Sequence, residues 1–236
     1  SASNSQVMYL STGSYAWPYV NQKLYKSTDG GISWQEKLNN TSNQVPNRYI
    51  THIEVDPLDE NLVYVTLSGF NSSTPGMPGH IFRTTDGGDN WNDMSGNLPD
   101  IPVNDIVIIY RDTKGFVIGT DAGVLTNLGR DGQWKEIGPN MPHAIVTDVE
   151  YNVFSGRVRA ATFGRSVWEI LLTGQSVHID YPLFVNSDAT GLKIENDIVI
   201  EKGGKLISPY SCTVKMAEGR KIIVKSGGEI NLTGKI

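Results

Sequence analysis

The sequence predicts an all-β fold: a partial β-propeller of about three and a half four-stranded blades, followed by a small β-solenoid or β-sandwich tail. The 236 residues include 25 glycines and only 19% charged residues, a composition typical of short strands joined by many turns. A polar turn sequence occurs twice, as YKSTDGGISW and FRTTDGGDNW. Strand-like apolar runs recur about every 45 residues, which is the repeat length of propeller blades.

Repeated positions divide residues 1–172 into units. Trp91 and Trp134 are 43 residues apart, and Asp105 and Asp148 have the same separation. The second unit contains four runs rich in alternating and β-branched residues, THIEVDP, NLVYVTLSG, HIFRTTD and NWNDMSG, and each run predicts a strand. Four strands per unit favour propeller blades, and a parallel β-solenoid with longer rungs is the alternative.

The number of strands predicts an incomplete ring. The first unit starts at QVMYL, which corresponds to a second strand, and the outer strand of the fourth unit is not recognisable. Propellers usually close with four to eight blades. We therefore expect residues 1–172 to be the C-terminal part of a larger propeller, whose remaining blades come from a separate segment of the same protein. A compact four-bladed ring is the alternative.

The two polar turns share one pattern, and each is predicted to join the third and fourth strands of a unit. The first turn contains Ser27, Asp29, Gly31 and Trp34. The second turn contains Thr84, Asp86, Gly88 and Trp91. The Asp side chain accepts hydrogen bonds from amides of its own turn, Gly supplies a positive φ, and the Trp ring fills the gap between neighbouring blades. Because the pattern recurs with the repeat, we interpret these residues as structural rather than catalytic.

This pattern resembles the Asp-box, or bacterial neuraminidase repeat, of sialidase-like, sortilin-like and xyloglucanase-like propellers. The resemblance covers residues 1–172. The segments SGNLPDIPVNDIVI and RVRAATFGRSVWEI are similar to the closing blades of exported Bacteroidetes-type multidomain proteins. The resemblance implies a secreted or cell-surface bacterial protein.

Residues 173–236 predict a second, β-rich domain. IVIEKGGKLIS returns 24 residues later as IIVKSGGEINL, with a Gly-Gly pair at the same place in each copy. Short strands and a spacing of this length indicate the start of a solenoid or a small sandwich.

Candidate ligand-binding residues lie in loops on the face opposite the polar turns, where propeller loops commonly carry function. Two long loops contain aromatic residues that are suited to stacking on sugar rings or gripping a protein, namely Tyr15, Trp17, Tyr19 and Phe70. The alternative is that these side chains pack on each other or on the remaining blades. Asp105 and Asp148 are weak catalytic candidates because a glycoside hydrolase needs two carboxylates across a cleft.

Composition excludes several other functions. A net charge of −5 argues against nucleic acid as a partner, and no apolar run is long enough to insert into a membrane. The four histidines show no metal-ligand spacing, and no nucleotide or cofactor motif occurs, so we expect neither metal nor cofactor. The leading hypothesis is a non-catalytic module that binds glycan or protein. The alternatives are a fragment of a sialidase-like or xyloglucanase-like hydrolase and a passenger or bound partner in a secretion or surface assembly.

Overall fold

A computed structural model describes residues 1–13, 22–38, 45–110, 114–128, 132–172, 177–179, 182–184 and 192–235. Within these ranges the structure is almost entirely β, and the helical content is a single 3-10 turn, Asn71–Ser73. Four sheets follow one another along the chain, as the repeats predict. We call them the first to fourth blades.

The first two blades are antiparallel sheets whose strands follow chain order. The first blade has three strands: β1 (Met8–Thr12), β2 (Lys23–Ser27) and β3 (Gln35–Leu38). The second has four: β4 (Ile50–Val55), β5 (Val63–Leu67), β6 (Ile81–Thr84) and β7 (Asn92–Asp93). Each polar turn joins the last two strands of its blade.

The other two blades repeat the arrangement. The third blade has four strands: β8 (Val103–Ile109), β9 (Gly115–Thr120), β10 (Gly123–Asn127) and β11 (Lys135–Glu136). The fourth has three: β12 (Val146–Asn152), β13 (Arg157–Thr162) and β14 (Val167–Leu171). Among the described residues, sheets of three, four, four and three strands confirm the predicted partial propeller.

The C-terminal strands pair in parallel. They are β15 (Val177–Ile179), β16 (Pro182–Phe184), β17 (Leu192–Ile194), β18 (Ile198–Ile200), β19 (Lys205–Met216), β20 (Ile222–Val224) and β21 (Glu229–Lys235). Ile198 pairs with Ile222, and Lys205 pairs with Glu229. Both pairs have the 24-residue offset seen in the sequence. Parallel stacking of successive turns of chain is the arrangement of a solenoid, so of the two predicted tail folds the structure has the solenoid.

The chain divides into two compact units. The first comprises Ser1–Ile108, Phe116–Val149 and Ala160–Val167, and the second comprises Ile109–Gly115, Glu150–Arg159 and Trp168–Ile236. The boundary predicted at residue 172 stays a prediction.

Each unit has its own apolar core. In the first unit, side chains of the first and second blades meet in one cluster: Leu24, Leu38, Val45, Ile50, Val63, Val65, Leu67, Phe82 and Trp91. In the second unit, residues of the solenoid form a cluster with Phe154: Ile179, Ile194, Ile198, Ile200, Leu206 and Val214. Burial of apolar side chains between successive sheets is the main stabilising term for such stacked folds.

Candidate functional site

The first polar turn is closed by its own side chains, and we call it the first corner. The hydroxyl of Ser27 donates to Oδ1 of Asp29 at 2.7 Å and accepts from the N–H of Gly31 at 2.9 Å. The carboxylate of Asp29 accepts from the N–H of Ser33 at 2.9 Å and from its hydroxyl at 2.5 Å. The indole N–H of Trp34 donates to the carbonyl of Gly31 at 3.0 Å. These bonds replace the ladder bonds that a tight turn interrupts.

The second corner repeats these bonds almost atom for atom. Thr84 Oγ1 donates to Oδ1 of Asp86 at 2.7 Å and accepts from the N–H of Gly88 at 2.9 Å. Asp86 accepts from the N–H of Asn90 at 2.9 Å and from its side-chain amide at 2.8 Å. The indole N–H of Trp91 donates to the carbonyl of Gly88 at 3.1 Å. The same geometry therefore occurs at two equivalent points of the repeat, as expected for residues with a structural role.

Hydrogen bonding keeps both corner carboxylates ionised. The hydroxyl and N–H of Ser33 lower the pKa of Asp29 to about 2, with a further contribution from Ser27. The amide side chain and N–H of Asn90 lower the pKa of Asp86 to about 2, with Thr84 adding to the effect. A carboxyl group with so low a pKa is a poor general acid or base near neutral pH.

The first strands of successive blades are linked by polar side chains. Nδ1 of His52, on β4, lies 2.8 Å from Oδ1 of Asp105, on β8. The other carboxylate oxygen of Asp105 accepts from the N–H of Val149, on β12, at 2.7 Å. Asp105 is buried, and through these two bonds it links the second, third and fourth blades. This occupied carboxylate favours a structural role over the catalytic one.

His52 carries a shifted pKa because of this link. Burial lowers the pKa of His52, but hydrogen bonds to Asp105 and Glu54 outweigh it and raise the pKa to about 9. The imidazolium form is therefore stabilised beside two carboxylates. Asp148 lies on β12 at the position equivalent to Asp105, and its side chain is exposed.

The loop that begins at Phe70 is fixed by two buried side chains, Arg48 and His80, and by the exposed acid Asp100. Arg48 is fully buried and donates to the carbonyl oxygens of Met77 and Gly79. His80 lies between Arg48 and Asp100: its Nδ1 is 3.4 Å from Nη1 of Arg48, and its Nε2 is 3.0 Å from Oδ1 of Asp100. These contacts hold the end of the loop to the body of the second blade.

The electrostatics of the cluster follow from its packing. Burial and the neighbouring Arg48 guanidinium lower the pKa of His80. Burial acts to raise the pKa of Asp100, but hydrogen bonds from the N–H of Asn71 and from His80 lower it overall. The bond from Asn71, at 2.9 Å, ties the start of the loop to the same carboxylate. One acid thus fixes both ends of the loop.

Phe70 itself remains accessible, with 46% of its surface exposed. The three other aromatic candidates, Tyr15, Trp17 and Tyr19, lie outside the described residues.

Sequence reasoning missed a second exposed apolar group on the fourth blade. Phe163 and Ile145 are both exposed, and the N–H of Phe163 donates to the carbonyl of Ile145 at 2.8 Å. Phe163 opens the turn between β13 and β14, where Ser166 has a positive φ of 65°. The sequence GRS, which follows Phe163, could have indicated this exposure, because it predicts a tight turn that leaves the preceding side chain at the surface.

The part of the chain that the structure describes contains neither a metal-binding cluster nor a membrane-spanning helix. No group of three or more His, Cys, Asp or Glu side chains is arranged to hold a metal ion. No helix there is long and apolar enough to span a membrane.

No family model and no curated protein matches this sequence. Among solved structures, the chain is similar to an ancestral GH74 enzyme, with a TM-score of 0.51 and 15% identity over 72% of this chain and 22% of that one. It also matches the GH74 xyloglucanase from Xanthomonas campestris, with a TM-score of 0.48 and 12% identity over 72% and 27% of the two chains. A third match is YCF48 bound to D1 peptide, with a TM-score of 0.40 and 16% identity over 63% and 43%.

At these identities the likeness concerns the fold alone, and the fold is that of a β-propeller module. This chain spans about a quarter of the length of the two GH74 proteins.

Proposed function

We propose that this chain is a non-catalytic Asp-box propeller module of an exported or cell-surface bacterial protein, which binds a glycan through its loop face. Phe70 carries the proposal: its ring is exposed at the head of a loop whose two ends are held by Arg48, His80 and Asp100. A rigid aromatic surface stacks on a sugar ring at low entropic cost.

The state of the carboxylates supports binding without catalysis. Asp29 and Asp86 are saturated by bonds within their own turns, and both oxygens of Asp105 are engaged by neighbouring blades. A hydrolase would need one acid and one base that reach the substrate. The shared fold with GH74 enzymes carries no activity by itself, because one fold supports many functions.

The test is a glycan array probed with the full chain, followed by titration calorimetry and a hydrolysis assay on each glycan that binds. We include xyloglucan oligosaccharides and sialosides. Phe70→Ala is expected to weaken binding about 10- to 100-fold, the usual effect of removing an aromatic anchor. Leu58→Ala is the matched control, since Leu58 is similarly exposed but lies in the turn between β4 and β5.

The proposal predicts binding without turnover. If the chain hydrolyses a glycan and Asp148→Asn abolishes this activity, the chain is instead a glycoside hydrolase. If the chain binds no glycan, or if Phe70→Ala binds the glycan as tightly as the original chain, this loop is not a glycan-binding site. A protein ligand is then the alternative.

A further inference from the structure

Among the described residues, one face of the first blade exposes apolar side chains on β1, beside the ion pair of Lys23 with Glu36 at 2.6 Å. Side chains alternate between the two faces of a strand. On β1, Tyr9 points towards the second blade, since it packs against the shared core and its hydroxyl donates to the carbonyl of Glu60 at 2.7 Å. Met8 and Leu10 therefore point the other way, and they are 42% and 46% exposed.

The same positions are fully buried one blade later. Met8 pairs with Ser27, and Val63 pairs with the equivalent Thr84, so Met8 corresponds to Val63. In the same way Leu10 corresponds to Val65, and both valines are 0% exposed because the first blade covers them.

The corner tryptophans show the same difference. Trp91 is 8% exposed and packs with Leu24 and Leu38 of the first blade. Trp134 of the third blade is also buried, and its indole N–H donates to the carbonyl of Met94 in the second blade at 3.2 Å. Trp34 of the first blade is 38% exposed. Each buried tryptophan is thus covered by the blade before it.

The edge of the same sheet is also available. In the second and third blades a further strand, β4 or β8, lies beside β5 or β9. In the first blade β1 pairs only with β2 among the described strands. An edge strand next to an exposed apolar face is the arrangement that pairs readily with another chain segment.

From this continuity with the existing blade contacts, we propose that Met8, Leu10 and Trp34 form a docking face for another blade of the same repeat, carried on a different polypeptide segment. The incoming segment supplies one strand that pairs with β1 and one sheet that covers the face. Its facing side is expected to carry leucines where the first blade has Leu24 and Leu38.

The rim of the contact specifies the partner further. In the existing contact Lys37 pairs with Asp89 at 2.7 Å, and Lys26 donates to the side chain of Asn61 at 2.7 Å. At the position of Asp89 the first corner has Ile32, which is exposed. An apolar residue rather than a lysine is therefore expected to meet the first corner.

The fourth blade does not offer these features, which argues against a second copy docking through it. Arg157 and Arg159 lie on β13 on either side of the buried Val158, and both pair with Glu169 of β14 at 2.9 and 3.3 Å. This surface carries ion-paired side chains and one exposed leucine, Leu171 of β14, whereas the first blade contributes two leucines, Leu24 and Leu38, to its contact with the second.

The test uses a thiol on the face. The only native cysteine, Cys212, is replaced by alanine, and Leu10→Cys or Met8→Cys introduces the probe. A second copy of residues 50–110, placed ahead of Ser1, supplies one four-stranded blade and one further strand. Reaction of the thiol with a maleimide is expected to slow by about tenfold or more when the duplicate is present, because a buried thiol reacts only through local opening.

Leu58→Cys is the control, since its exposure matches that of Leu10 and its reaction rate is expected not to change. The proposal is overturned if the thiol at position 10 reacts with maleimide equally fast with and without the duplicate. It is also overturned if the amides of the duplicate gain no protection in hydrogen exchange. If the original chain dimerises and the dimer alone protects the thiol, a second copy is the partner and the proposal is wrong. The outcome is independent of glycan binding at Phe70.

Discussion

His52 and Asp105 link the first strands of the second and third blades through their side chains, with 2.8 Å between Nδ1 and Oδ1. The second oxygen of Asp105 extends the link to Val149 in the fourth blade. A buried acid that is fully bonded on both sides stabilises the stacking of blades, and removing one partner leaves an unsatisfied buried group.

This link predicts a pH dependence of stability. The pKa of His52 in the folded protein, about 9, lies above the ordinary value of about 6.5. The contribution of His52 is therefore complete below pH 6.5 and is lost as the pH rises to 9. The free energy of unfolding in urea should fall across this range, and His52→Gln should flatten the dependence. A His52→Gln profile that still falls between pH 6.5 and 9 would assign the effect to another group.

The corners should contribute to stability in a way that depends on pH in a separate, acidic range. The pKa values of Asp29 and Asp86 are lowered to about 2, so their stabilising contribution is present above the ordinary pKa near 4 and is lost as the pH falls towards 2. Unfolding measured between pH 5 and 2 should show this loss, and Asp86→Asn should reduce its slope. An unchanged slope in the variant would mean that the corner carboxylate contributes nothing.

The buried hydroxyl of Thr84 in the second corner should contribute measurably to the free energy of unfolding. Thr84 is fully buried, accepts from the N–H groups of Asp86 and Gly88, and donates to the Asp86 carboxylate. Thr84→Val should lower the free energy of unfolding by about 1–3 kcal/mol, the cost of unsatisfied buried groups. Thr84→Ser retains the hydroxyl and should cost less. A larger loss in Thr84→Ser than in Thr84→Val would show that the methyl group counts for more than the hydrogen bonds.

Gly88 should be far less replaceable than a glycine in an open turn. Its φ is +102°, and an added Cβ would lie 2.8 Å from Cβ of Lys37. We expect Gly88→Ala to cost about 2–4 kcal/mol of unfolding free energy, from backbone strain and crowding together. Gly219 has a φ of +75° and nothing within 4 Å of an added Cβ, so Gly219→Ala should cost about 1 kcal/mol. Similar costs would contradict close contact between the first blade and the second corner.

The loop at Phe70 should loosen when its shared acid is removed. Asp100→Ala deletes the acceptor for the N–H of Asn71 and the partner of His80. Hydrogen exchange of the amides in residues 70–80 should accelerate while exchange in the corners is unchanged. If the loop keeps its protection, Arg48 alone holds it in place.

Much of the fold could be predicted because it depends on local, repeated chemistry. The corner residues predicted their own turns, and the position of Thr84 and Asp86 after a short apolar strand predicted which strands they join. The 24-residue offset in the tail is present in the pairing of Ile198 with Ile222. Sequence alone did not decide between solenoid and sandwich, because the choice depends on whether the strands pair in parallel.

The site was less predictable because it depends on contacts that are distant in the sequence. No local pattern links Arg48, His80 and Asp100, which meet only after the second blade has folded. The bond between His52 and Asp105 likewise joins two blades. Asp105 and Asp148 occupy equivalent positions but differ in burial, a difference that their sequence context does not reveal.

We propose that the two corners serve the fold and that ligand binding belongs to the loop face. The most direct measurement compares the Asp29→Asn, Asp86→Asn double variant with the original chain, both in unfolding free energy and in glycan binding and hydrolysis at a temperature where both are folded. We expect lower stability in the double variant, unchanged binding, and no hydrolysis in either protein. Unchanged stability together with lost binding or lost hydrolysis would contradict it.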